Sequence, residues 1–341
     1  MIHEIRDITI IGGGPTGLFA LFYAGMRRAS AQIVDALPEL GGQITALYPE
    51  KLIFDVGGYP VVPAKQLVKS LAEQAARFGE PVHLAHRVDG LEEVDGHFEL
   101  VTDKARFPSR AIVIAAGIGA FSPRRLPQEC AQPWYGRGIH DIVTDPETFR
   151  GKRVVIIGGG DSAFDWATQL LDRAAHVTLV HRSDQFRAHA ATVAQYMRAV
   201  ETGRADLFTF HELHDIKCVE IADVFTHVEI RDVKSKATRM VHADAIIPML
   251  GFVSDLGALA SWGLTLEKKR EIVVNSMMET GRPGIYAAGD VTTYPGKLKL
   301  IATGFAEAAA AVNQAVHWIY PERKVAPGHS SNMELFGQKD D

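Results

Sequence analysis

The sequence predicts an α/β chain in which one strand–turn–helix order occurs twice. Three observations carry this. A glycine-rich turn after an apolar strand, ITIIGGGPTGL at 8–18, recurs as VVIIGGGDSAFDWA at 154–167. Each is followed by a second short apolar strand, AQIVD at 31–35 and HVTLV at 176–180. Each half then passes through alternating segments to an apolar run ending in glycine, AIVIAAG at 111–117 and DAIIPMLG at 244–251. Such runs read as strands buried on both faces.

Taken in order, residues 8–11 form the first strand, and the glycines after it open a helix rich in Leu, Phe and Ala. Residues 64–78 form an amphipathic helix, because Leu67, Leu71, Ala75 and Phe78 recur at helical spacing. Residues 82–110 alternate between Asp-Gly breaks, which predicts a β-meander, and 216–242 alternate likewise in the second half. From about 252 the pattern is new. GIYAAGD at 284–290 is a strand ending in Gly-Asp, residues 300–319 form an Ala-rich helix stopped by Pro321, and a tail with APGHSSNMELF follows. The repeat therefore places one discontinuous domain at 1–120 plus 252–341, with a second at 121–251 inserted into it and hinges near 118–122 and 248–252.

Bulk properties narrow the function. A chain of 341 residues with 47% apolar and 23% charged residues suits a globular protein of about two domains. A net charge of −5 argues against a nucleic-acid binder. The two cysteines, Cys130 and Cys218, are too few and too distant for a disulfide framework or a cysteine-rich metal site, so no metal is expected. The first strand starts within ten residues of Met1, and the longest apolar run, near 111–121, is too short to span a bilayer. The expectation is a cytoplasmic protein that contacts neither membrane nor nucleic acid.

The turns are Gly12-x-Gly14-x-x-Gly17 and Gly158-x-Gly160-x-x-Ala163. In such a pattern the first glycine permits a tight turn and the second lets backbone approach a pyrophosphate. The third position must be small for helix–strand packing. The phosphates then sit at the positive end of the helix, beside Pro15 and Thr16 in the first unit and Asp161 and Ser162 in the second. Two such turns, each in full context, predict two Rossmann-like dinucleotide-binding domains of the three-layer β/β/α kind. Asp35 lies 23 positions after Gly12, where a carboxylate can accept hydrogen bonds from a ribose, as FAD or NAD requires. The same offset from Gly158 reaches His181, followed by Arg182 and, shortly after, Arg187. Cations in place of an acid suit a 2′-phosphate, so the second site is expected to take NADP(H). The GIYAAGDV segment decides the first site for FAD: Asp290 would bond its ribityl–phosphate part, and the helix after it would aim its N-terminal dipole at the ring.

These motifs resemble the two-dinucleotide flavoproteins of the thioredoxin-reductase superfamily over essentially the whole chain. Thioredoxin reductases carry a Cys-x-x-Cys pair before the second turn, whereas GRGIHDIVTDPETFRGKRVVIIGGG at 136–160 has no cysteine, so a dithiol relay is not available. GGQITALYPEK (41–51), AAGDVTTYPGKLKLIATGF (288–305) and PGHSS (327–331) are similar to the ferredoxin–NADP reductases of the thioredoxin-reductase-like type. That resemblance implies a flavin stacked between Tyr48 and His329. It also implies FAD contacts from Thr16, Asp35, Gly42, Gln43, Val88, Phe121, Asp290 and Ser331.

The implied activity is hydride exchange between NADPH and FAD, then single-electron transfer to or from ferredoxin or flavodoxin, with no residue needed as general acid or base. The family implies a homodimer. Lys297, Lys299, Arg124 and Arg125 are candidates for docking an acidic partner. If His329 covers the nicotinamide's face, the tail must move during turnover. Two other readings compete: a flavoprotein oxidase or quinone reductase without a disulfide, and a dinucleotide-binding redox sensor.

Overall fold

A computed structural model describes residues 4–47, 51–143, 145–219, 224–325 and 330. The chain divides into two compact units, 1–121 with 254–341, and 122–253.

In the first unit, β1 (Arg6–Ile11) leads into α1 (Pro15–Met26), β2 (Ala31–Val34) and the short α2 (Gln43–Ala46). A small ribbon of β3 (Leu52–Ile53) and β4 (Val62–Pro63) precedes α3 (Ala64–Ala75), which a 3₁₀ turn extends to Phe78. There follow β5 (Val82–His83), β6 (Val88–Val94), β7 (His97–Thr102), β8 (Arg106–Ile114) and β9 (Ala120–Pro123). β1, β2, β5 and β8 run parallel, and β6, β7 and β8 form the expected meander.

The last strand of the meander and the apolar run that begins at 111 are one strand, β8, not two. The first half of β8 pairs with β7, and its second half pairs with β1 and a late strand. The Asp-Gly pairs also differ in role. Asp95 and Gly96 both take positive φ, 47° and 79°, as a tight hairpin turn demands. Asp89-Gly90 instead sits inside β6 at a break in register between Val88 and Gly90.

The second unit holds β10 (Arg153–Ile157), α4 (Asp161–Leu170), β11 (His176–His181), α5 (Ala190–Glu201), β12 (Ala205–Thr209), β13 (His211–Val219), β14 (Val224–Asp232), β15 (Thr238–His242) and β16 (Ala245–Pro248). Strands β12, β11, β10 and β16 make a parallel sheet in that order. Alternation along β10 splits its neighbours. Val154 and Ile156 join Phe164, Leu170 and Tyr196 in one core cluster; Val155 and Ile157 join Leu213, Val228 and Ile230 of the antiparallel β13–β14–β15 sheet in another. Sheet, sheet and helices thus stack as three layers.

β17 (Phe252–Asp255) pairs with β9, so the two connecting strands form a ribbon of their own. The chain then adds β18 (Leu266–Glu267), β19 (Glu271–Val273), β20 (Ile285–Ala287), β21 (Thr292–Thr293) and α6 (Ile301–Ile319). β20 joins the first unit's sheet beside β8, and α6 lies along α1, with Phe19 and Phe305 5.1 Å apart. Ala308, Ala311, Val312, Ala315 and Val316 of α6 are buried, which is why its small residues recur.

Candidate functional site

Within the first unit a cavity of about 620 Å³ opens at the carboxyl ends of β1, β2 and β8. Of the residues expected at FAD, it is lined by Gly12, Gly14, Pro15, Thr16, Asp35, Gly42, Gln43, Val88 and Asp290. Its volume lies in the range of ordinary cofactor sites.

The glycines divide their labour visibly. A Cβ on Gly12 would collide with the carbonyl of Ala115, and one on Gly17 with the carbonyl of Gly12, so both are fixed by packing. Gly14 is different: the nearest atom a Cβ would meet is 3.9 Å away. The second turn repeats the arrangement. Gly158 would collide with the carbonyl of Met249, Ala163 packs beneath it, and Gly160 has nothing within 4 Å. The middle glycine of each pattern thus meets no clash at a helix N-terminus: Gly160 faces open space, and Gly14 touches Gly41 and Gly42 backbone only at ordinary contact distance; the first N–H groups of each helix have no intrahelical partner. Pro15 at the first turn of α1 lacks an N–H and presets φ for the helix.

The position 23 residues on from each first glycine is equivalent in space as well as in sequence. Asp35 reaches back to the first turn: its Oδ2 accepts the Gly13 N–H at 2.5 Å and its Oδ1 accepts the Leu37 N–H at 2.8 Å. Burial pushes this carboxyl above its ordinary pKa, while the two backbone donors oppose that rise. In the second unit the imidazole of His181 lies where a Cβ on Gly159 would be. Its Nε2 is 3.1 Å from Ser183 Oγ and 3.2 Å from the Gln185 carbonyl, and its ring packs on Phe186. Burial lowers its pKa, with Arg182 and Arg187 adding to the effect. Both guanidinium groups are exposed and carry no side-chain hydrogen bond or ion pair among the described residues. The Arg187 N–H donates to the Gly159 carbonyl at 2.8 Å, tying the basic loop to the glycine turn. Asp161 caps the neighbouring loop by accepting the His189 N–H at 2.9 Å. Ser162 and Ala163 lie in the first turn of α4.

The far wall of the cavity is set by Glu307, which sequence reasoning missed. Its Oε2 accepts the Gly289 N–H at 2.7 Å and its Oε1 accepts the Tyr294 hydroxyl at 2.6 Å. Lys297 closes on both oxygens at 2.5 and 2.6 Å, and the two side chains are only 5% and 4% exposed. This latch holds the Gly289–Asp290 turn against α6. Burial raises the Asp290 carboxyl's pKa, offset by Lys297 and Lys299. The same pair removes Lys297 from the docking candidates, since a buried ammonium bonded to a carboxylate cannot meet a partner. Of the others, Arg125 pairs with Asp141 at 3.4 Å and covers the Tyr135 ring, whereas Lys299 is 45% exposed while bonded to Glu271.

Tyr48, His329 and Ser331 lie outside the described residues, as does the side chain of Phe121. Further cavity residues carried little signal in the sequence. Arg87 and Asp89 flank Val88, Leu256–Leu259 come from a 3₁₀ turn after β17, and Lys299, Leu300 and Ile301 bring the N-terminal end of α6 to the wall.

The pyridine nucleotide-disulphide oxidoreductase family pattern matches residues 6–315. A ferredoxin–NADP reductase of Halalkalibacterium halodurans is 48% identical over 332 residues, 97% of this chain and 98% of its own. One of Thermus thermophilus is 47% identical over 341 residues, 99% of this chain and 100% of its own. The chain belongs to the ferredoxin–NADP reductases of this family. Its fold is that of thioredoxin reductases: a crystal structure of the Lactococcus lactis thioredoxin reductase superposes with a TM-score of 0.74 at 25% identity, covering 93% of this chain and 99% of that one. For a ferredoxin–NADP reductase on this fold, the cysteine-free stretch at 136–160 is the instructive departure, because electrons must leave without a dithiol. No helix among the described residues is long and apolar enough to cross a membrane.

Proposed function

We propose that this chain moves electrons between NADPH and ferredoxin, holding FAD in the cavity of the first unit and NADP(H) at the glycine turn of the second. One observation carries the reading. Two glycine turns share one geometry but differ at the equivalent side chain, Asp35 in one and His181 with Arg182 and Arg187 in the other. The residues present fit both groups. Gly14 and Gly160 leave room for a pyrophosphate, and two guanidinium groups stand available to a 2′-phosphate.

In the balanced reaction one NADPH and two oxidised ferredoxins give NADP⁺, one proton and two reduced ferredoxins. Bound FAD supplies the conversion of a hydride into single electrons. The chain's own residues bind and orient. Asp35 holds the first turn closed and offers its carboxylate edge to a ribose. Asp290 and Gln43 both line the cavity, Asp290 for the ribityl–phosphate part and Gln43 as a further FAD contact. Glu307 and Lys297 keep the Asp290 turn seated. Tyr48 and His329 are assigned the faces of the ring on the strength of the LYPEK and PGHSS motifs, and Phe121 and Ser331 further contacts on the same ground. Flavodoxin-type carriers fit the same one-electron chemistry. A cytoplasmic homodimer is part of this reading, supported by the two distant cysteines and by the family resemblance.

The test is nucleotide selectivity. Replacing Arg182 and Arg187 together by Ala is expected to raise the KM for NADPH about tenfold or more, leaving the KM for NADH within about twofold, since a charge-assisted bond contributes roughly 1.5–3 kcal/mol. Equal losses for the two nucleotides would contradict the assignment of the second site.

A further inference from the structure

The sequence placed a docking patch partly on Lys297, which is buried. Lys299 is half-exposed, and further exposed basic groups lie on the turn whose base it bonds. Between β18 and β19 the chain turns through Lys268, Lys269 and Arg270, with the Arg270 N–H donating to the Glu267 carbonyl at 3.2 Å. Lys268 and Lys269 both take positive φ, 50° and 60°. Two consecutive residues at positive φ are what a type I′ turn requires, and Asn-Gly is the sequence that meets this demand with least strain. Here two lysines occupy those positions instead. A backbone cost kept at a solvent-facing tip points to a use for the side chains.

The surroundings say which use. β19 pairs with β21, which directly follows the Asp290 turn, so the tip belongs to the same small sheet as the cavity wall. Glu271, at the base of the turn, is bonded by Lys299 at 2.6 Å, and that bond, with Lys268 and Arg270 nearby, holds its carboxyl below the ordinary range. Four cations thus gather around one satisfied carboxylate and Glu267, which lies 3.6 Å from Lys268. Lys269 and Arg270 have no side-chain ion pair among the described residues. Leu298, next in sequence to the Lys299 that bonds Glu271, is 61% exposed, and Lys299 and Leu300 after it line the cavity itself. An apolar side chain rimmed by cations at the mouth of a redox cavity, on a chain of net charge −5, is a local reversal of sign.

We propose that the Lys268–Arg270 turn, with Lys299 and Leu298, is the docking surface for an acidic one-electron carrier protein, a ferredoxin. This rests on the functional reading above. The cations would steer the carrier's carboxylates while Leu298 makes the apolar contact at the centre, bringing the carrier to the cavity mouth.

The experiment uses the full-length holoenzyme, NADPH and a purified acidic bacterial ferredoxin, with ferricyanide as a small acceptor. K268N/K269G installs the favoured turn sequence, so it is expected to fold and to unfold at a higher temperature than the parent. Its ferricyanide rate should be unchanged, its KM for ferredoxin should rise about tenfold, and the fall of ferredoxin activity with added salt should become shallower. L298S is expected to raise the same KM without altering the salt dependence. An unchanged KM and salt slope in K268N/K269G would overturn the assignment. So would a changed oligomeric state at unchanged KM, which would make the turn a contact between copies of this chain. If the parent itself reduces ferricyanide but no ferredoxin, the functional reading fails along with the docking surface; a parent that reduces both, with a K268N/K269G variant that matches it, removes the docking surface alone.

Discussion

Glu307 is the residue on which the cavity wall turns, because three donors converge on its two oxygens in a buried site. Removing one member of such a buried pair strands the other. Glu307→Gln is therefore expected to destabilise the fold by about 3–5 kcal/mol, because Lys297 would remain buried without a counter-charge. K297M/E307Q removes both charges and should recover most of that loss in thermal unfolding; a double variant as unstable as the single one would show that the charges do not act as a pair. The contrast with Asp35 explains what a sequence can reveal. Asp35 was legible because its role is tied to a fixed offset from Gly12, within one βαβ unit. Glu307 was not, because an isolated acid in an Ala-rich helix reads as a solvent-facing residue, and its partners lie on a turn whose path the sequence does not specify. The lysines failed for the same reason: Lys297 and Lys299 look equivalent in KLKL, yet one is buried and the other half-exposed.

The two strand–turn–helix units make the same use of glycine at two positions, Gly12 with Gly158 and Gly14 with Gly160, and place a small residue, Gly17 or Ala163, at the third. This separates packing from binding. Gly160→Ala should fold with stability within about 1 kcal/mol of the parent, because φ at Gly160 is −100° and the new methyl meets nothing within 4 Å. It should nonetheless raise the KM for NADPH, since the methyl projects where the pyrophosphate must approach. Gly158→Ala should instead lower the unfolding temperature, because its Cβ meets the Met249 carbonyl. Thermal unfolding and NADPH kinetics on the two variants would check the division; equal effects of both on stability would refute it. The long parallel strands were legible from continuous apolar runs. The helix α5 and strand β12 were not singled out, and α5 buries just Tyr196 and Ala199, too narrow a stripe to stand out by periodicity. Strands of two or three residues, such as β18, β19 and β21, carry no period at all, and it is these that bring the basic turn to the cavity.

Across the whole molecule, the chain crosses between units twice, which is why its first and last segments share one unit. Acid should weaken the fold in a defined window. His140, packed edge-on to Phe149 at 5.1 Å, and His181 are both held below the usual histidine range, chiefly by burial. A depressed base contributes stability that is present above its unfolded value of about 6.5 and is lost as pH falls through the folded value. The unfolding temperature of the nucleotide-free protein should therefore be lower at pH of about 5.5 than at about 7.5, a trend opposite to the one the raised carboxyls of Asp35 and Asp290 impose as pH falls from their folded values to the unfolded value of about 3.9. A flat profile across that interval would show that the two imidazoles are solvated. Whether two nucleotide sites serve a one-electron carrier without a dithiol is read out by NADPH-driven cytochrome c reduction with and without ferredoxin. The rate should depend strongly on ferredoxin. A rate indifferent to ferredoxin, with NADPH still bleaching the bound flavin, would contradict this and assign the electrons to another acceptor.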